Sequence, residues 1–71
     1  IQIYPNPTTD VLNITKVSSN AKFEIHNAVG QLVKNGSIDN NQVRVSELVK
    51  GTYLITIKDK DINETVKFIK K

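Results

Sequence analysis

Thr52-Tyr53-Leu54-Ile55-Thr56-Ile57-Lys58 is the stretch that decides the fold, because Tyr53, Ile55 and Ile57 recur at every second position. Successive side chains of a β-strand point to opposite faces, so this period of two marks a strand with one buried face. Upstream, Val43 and Val45 alternate with Gln42 and Arg44 in a short strand. Between the two, Ser46-Glu47-Leu48-Val49-Lys50 is a brief connection with room for one helical turn capped by Ser46 and ended by Gly51. Downstream, Asp59-Lys60-Asp61 forms a loop into a last strand, Asn63 to Lys70, with Val66 and Phe68 inward.

The same alternation extends back to the start of the chain. A strand from Ala21 to His26 turns Ala21, Phe23 and Ile25 inward and Lys22, Glu24 and His26 outward. Asn27-Ala28-Val29-Gly30 reads as a hairpin turn in which Gly30 supplies a positive φ. The returning strand, Gln31 to Lys34 and on toward Ile38, is expected to bulge or turn at Gly36. Asp39-Asn40-Asn41 turns the chain again. Val11 to Thr15 is a strand with Leu12 and Ile14 on one face, and Ile1 to Tyr4 is the first strand. It stops at Pro5-Asn6-Pro7, where each proline lacks the amide that a ladder needs. About seven short strands at intervals of roughly ten residues, bounded by Gly, Pro, Asn or Asp, favour a β-sandwich or small barrel over a helical fold. Residues 1–71 read as one domain, with both ends in strands.

Composition narrows the possible functions. A chain of 71 residues has a thin core, and with no Cys, Met or Trp that core is aliphatic. Ten Lys and Arg against seven Asp and Glu give a net charge of +3, with Lys67, Lys70 and Lys71 crowded at the end. Nucleic-acid binding is not expected, since readers of nucleic acid add arginines and exposed aromatics, and here Arg44 is the sole arginine. No apolar run approaches the roughly 20 residues of a membrane span, and the start lacks the basic-then-apolar pattern of a signal peptide.

Catalysis is not expected either. The single histidine, His26, sits on the outward register, and the serines and threonines cluster at turns where their hydroxyls bond nearby backbone. Asp59-Lys60-Asp61-Ile62-Asn63 opens like a calcium loop, but Glu64 stands where the turn needs glycine and Lys70 where a bidentate glutamate belongs. A polar hairpin loop is the better reading. No cofactor and no other metal site is expected. What remains is a basic terminal strand, whose lysines either guard a sheet edge or take part in recognition.

The order of motifs is more informative than their chemistry. Ile3-Tyr4-Pro5-Asn6-Pro7-Thr8-Thr9-Asp10 with Leu12 and Ile14, then Asn27-Ala28-Val29-Gly30-Gln31-Leu32-Val33, then Leu48-Val49-Lys50-Gly51-Thr52-Tyr53-Leu54-Ile55, then Val66-Lys67-Phe68-Ile69-Lys70-Lys71 run the length of the chain. Together they resemble the type A C-terminal sorting domains of the Bacteroidetes type IX secretion system. The resemblance implies an all-β, immunoglobulin-like antiparallel β-sandwich with no enzymatic activity. It implies a signal that ends a large cargo protein, whose own signal peptide would sit at the far N-terminus. Such domains engage an outer-membrane translocon and a shuttle protein, and a surface sortase peptidase removes them. The cargo is then released or attached to the cell surface.

By the same resemblance the recognition element is the terminal strand Lys67, Phe68, Ile69, Lys70 and Lys71, displayed for docking, with Pro5, Asn6, Pro7, Gly51 and Tyr53 in support. A stalk or ligand-binding module of a surface adhesin or secreted enzyme is the alternative. It ranks lower because glycan platforms present several exposed aromatics, and only Tyr4 is expected outside the core.

Overall fold

The computed structural model describes residues 1–71. It contains seven strands and no helix: β1 (Ile3–Tyr4), β2 (Val11–Ile14), β3 (Lys22–Asn27), β4 (Leu32–Ser37), β5 (Gln42–Arg44), β6 (Gly51–Asp59) and β7 (Ile62–Lys70). They form a three-stranded sheet in the order β1-β2-β5 and a four-stranded sheet in the order β4-β3-β6-β7. Every neighbouring pair is antiparallel. The expected antiparallel sandwich is therefore what forms.

Alternation places the core as the sequence predicts. Phe23, Ile25, Tyr53, Ile55, Ile57 and Phe68 from the larger sheet join Leu12, Ile14 and Val43 from the smaller one in a single cluster, which Ala21, Ile38 and Val45 complete. Full burial of an aliphatic or aromatic side chain contributes about 1.5–3 kcal/mol, so a cluster of this size leaves a narrow margin. The Tyr53 and Phe68 rings, opposite each other in the β6–β7 register, stack with centroids 5.6 Å apart. The Tyr53 hydroxyl donates to the Val49 carbonyl at 2.7 Å. A tyrosine near the start of a strand that bonds backbone a few residues upstream is the tyrosine corner of immunoglobulin-like sandwiches.

The hairpin turn at Gly30 forms with φ +89, and the Asn27 side-chain oxygen accepts from the Val29 and Gln31 amides at 3.1 and 2.9 Å. Elsewhere local expectations need correction. Ser46–Lys50 holds no helical turn; the chain makes a single reverse turn closed by the Leu48 amide on the Val45 carbonyl at 3.1 Å. Six residues between two strands offer too few backbone bonds to repay helix nucleation. The bulge of β4 lies at Val33, where the register slips between Ile25 and His26, and Gly36 pairs regularly with Phe23. The terminal strands stop short of the chain ends, leaving Ile1, Gln2 and Lys71 outside them.

Candidate functional site

Pro5-Asn6-Pro7-Thr8 leaves the smaller sheet after β1, crosses to the outer edge of β7 and returns to β2. Both X–Pro bonds, Tyr4–Pro5 and Asn6–Pro7, are cis. On the way the segment bonds the last strand repeatedly. The Asn6 side-chain oxygen accepts from the Ile69 amide at 2.9 Å, and its side-chain nitrogen donates to the Lys67 carbonyl at 3.3 Å. The Thr8 amide donates to the Ile69 carbonyl at 2.9 Å, and the Lys71 amide donates to the Thr8 carbonyl at 2.8 Å. Thr8 and Lys70 thus form a parallel bridge, so the loop covers the C-terminal half of the β7 edge.

Gly51 lies opposite Lys70, and Tyr53 opposite Phe68, on the other flank of β7. Pro5, Asn6, Pro7, Gly51, Tyr53 and Lys67 to Lys71 therefore meet at one end of the larger sheet. Their exposure divides them. Pro5, Asn6, Pro7, Gly51, Lys67, Ile69 and Lys71 are exposed, whereas Tyr53 and Phe68 belong to the core. Lys70 does not join the display expected for the basic tail. It falls on the inward register of β7, is only 8% exposed, and its ammonium donates to the Lys71 carbonyl at 3.3 Å. Of the lysines of the terminal segment, Lys67 and Lys71 are the exposed ones.

The outer face of the larger sheet continues the surface. Leu32, His26, Leu54 and Lys67 are successive partners across four strands, and Ile69 stands diagonal to Leu54. Leu54 is 40% and Ile69 44% exposed, so aliphatic side chains and lysines share this face. Its grooves are shallow. One of about 310 Å³ is floored by Gly51, Thr52 and Tyr53 and walled by Ala28, Val29 and Val49.

Asp59, which would open a calcium loop, is engaged elsewhere. One carboxylate oxygen accepts from the Ser18 hydroxyl, the other from the Ser18 amide at 2.8 Å. Those bonds, the hydroxyl's first, hold the Asp59 carboxyl below the usual carboxylate range. No group of three or more His, Cys, Asp or Glu is gathered to hold a metal ion. At the opposite side of the sandwich the Lys34 ammonium bonds Glu47 and the Arg44 carbonyl, tying β4 to the other sheet. The Lys34 hydrogen bond, followed by the Glu47 amide, lowers the Glu47 carboxyl. No helix is long and apolar enough to cross a membrane.

The sequence pattern of the secretion system C-terminal sorting domain matches residues 2–71. The chain belongs to this family. The sorting domain is also 37% identical over 67 residues to Beta-agarase D of Zobellia galactanivorans, which covers 94% of this chain and 14% of that protein. The chain thus spans about one-seventh of the length of the curated relative it matches. The family is that of the type IX secretion sorting signals, carried by proteins that cross the outer membrane to the cell surface or the medium. It is a family of signals, not of catalysts.

Reading the sequence alone missed two residues of the sorting domain that organise this end and its surroundings. Thr8 is buried, with its hydroxyl donating to the Val11 carbonyl at 2.8 Å. Nothing local separates it from the exposed Thr9 beside it, because its burial comes from β7, far away in sequence. Ser18 reads as one more polar turn residue, and only the folded chain brings it to Asp59.

Proposed function

We propose that the secretion machinery, namely the outer-membrane translocon and its shuttle protein, recognises residues 1–71 as one folded sorting domain at the end of the sheet where the Pro5–Pro7 loop lies on β7. The observation that carries this reading is the bonding of Asn6 to Lys67 and Ile69, which joins the recognition segments suggested by the motif order into one exposed surface. Lys67 and Lys71 supply charge there and Ile69 supplies apolar area. Tyr53, Phe68 and Lys70 act from beneath by holding β7 in place. A surface peptidase then removes the domain, and the cargo is anchored or released. The domain performs no catalysis of its own.

The test is a fusion of residues 1–71 to a periplasmic reporter in a bacterium with a working type IX system. The reporter is expected outside the cell, and removal of residues 67–71 is expected to keep it inside. A reporter that stays in the periplasm with the intact domain overturns the proposal.

A further inference from the structure

Each sheet has two outer strands, and those of this sandwich are β1, β5, β4 and β7. An exposed edge offers unpaired amides and carbonyls to any extended chain, so natural proteins shorten, bulge or cover it. β1 has two residues and runs into Pro5. β5 has three residues. β4 is broken by the bulge at Val33. β7 is different: it has nine residues in unbroken register with β6, from Gly51↔Lys70 to Asp59↔Ile62.

Only part of that edge is covered. In an antiparallel ladder the amide and carbonyl of one residue point to the same side, and the side alternates along the strand. Ile69 and Lys71 bond outward to the Asn6–Thr8 segment, so the odd-numbered positions face away from β6. Thr65 and Asn63 therefore present both their amides and carbonyls outward, and Lys67 presents its amide. None of the hydrogen bonds outside the ladders engages these groups. The protein leaves open an edge in regular register immediately beside the capped one.

We infer that the Asn63–Lys67 edge of β7 is a strand-addition site, filled by an extended segment of a partner protein that places a carboxylate opposite Lys67 and an aliphatic side chain beside Ile62 and Val66. The flanks define this occupant. On the outer face Lys67 has no anionic partner, since the ion pairs of the fold are Lys34–Glu47 and Lys58–Glu24. On the inner face Ile62 is 38% exposed and Val66 half-buried, with the exposed Glu64 between them, which leaves apolar area on either side of one carboxylate for an adjacent strand to cover. Backbone bonds supply affinity in such complexes and the alternate side chains supply specificity. A second copy of the domain fits less well: twofold pairing about Thr65 sets Lys67 against Asn63, with no carboxylate directly opposite.

The inference rests on the sorting reading and takes the partner to be part of the export machinery. Its test uses the reporter fusion with Thr65→Pro, which deletes an outward amide while sparing the β6 ladder; proline is tolerated on an edge strand when its nitrogen faces solvent. Thr65→Ala is the control, because it removes the hydroxyl bonded to Thr56 and the γ-methyl but keeps the outward amide. With the melting temperature unchanged, Thr65→Pro is expected to cut export about tenfold and Thr65→Ala to leave it near the intact level. Normal export of a folded Thr65→Pro fusion overturns strand addition and leaves the sorting reading standing. A retained unsubstituted fusion overturns the sorting reading instead. Should Thr65→Pro lower the melting temperature, Asn63→Pro decides, because it removes another outward amide at a residue outside the Pro5–Pro7 surface, with reduced export expected and undiminished export overturning the inference. A dimer in sedimentation that disappears with Thr65→Pro overturns the choice of occupant.

Discussion

The side-chain oxygen of Asn6 accepts the backbone amide of Ile69 at 2.9 Å across a separation of 63 residues. A side chain thereby does at this position what a neighbouring strand would do. Asn6→Ala removes the acceptor and the donor to Lys67, and is expected to cost about 1 kcal/mol of stability. Urea unfolding measures the loss, and hydrogen exchange at the Ile69 amide should quicken even where the midpoint moves little. Asn6→Asp keeps the acceptor and should retain protection at Ile69.

Thr8→Val should be more damaging than Thr9→Val. The first leaves the Val11 carbonyl without its 2.8 Å donor in a part-buried setting, an unsatisfied group that costs about 1–3 kcal/mol. The second alters an exposed side chain and is expected to stay within about 0.5 kcal/mol. Equal losses in thermal unfolding would contradict the anchoring role given to Thr8.

Tyr53→Phe isolates the tyrosine corner. The ring stays stacked on Phe68 and the bond to Val49 is lost, so about 0.5–1.5 kcal/mol should disappear. Phe68→Ala, which opens a cavity at a fully buried site, should cost about 3–5 kcal/mol and unfold most of the population. Circular dichroism during heating ranks the two variants.

Acid should weaken the domain through Asp59. Its carboxyl is held low in the folded chain, so the folded state binds fewer protons than the unfolded state as pH falls toward the carboxylate range. The Ser18 clamp is thus fully present above the unfolded pKa of about 3.9 and is lost as pH drops through the lower folded value. Melting temperatures at pH 7 and pH 3 should differ less in Ser18→Ala than in the unaltered chain. The Glu47–Lys34 pair shifts stability in the same direction, but with the Glu47 side chain 53% exposed its share should fade in salt.

Period-two patterning made the layers of the fold readable in advance. Leu12, Ile14, Phe23, Ile25, Val43, Tyr53, Ile55, Ile57 and Phe68 are inward because alternation leaves no other face for them. Motif order singled out the proline loop, the Gly51–Tyr53 stretch and the terminal strand as separate pieces. Their union was not readable, since bonds between Asn6 and Ile69 depend on which edge the proline loop meets, and no local pattern encodes that. The fate of Lys70 was hidden for a related reason. A lysine on an inward register is normally read as surface, and only the pairing of β7 with both β6 and Thr8 shows it buried.

The contacts of Asn6 with Lys67 and Ile69 span 61 and 63 residues. During synthesis the proline loop emerges from the ribosome well before the residues it must clasp, so this surface cannot close until β7 has been made. A polypeptide broken off before Lys67 would carry every earlier strand and still offer no clasped edge. If export reads this surface as proposed, the clasp reports that β7 is present and paired.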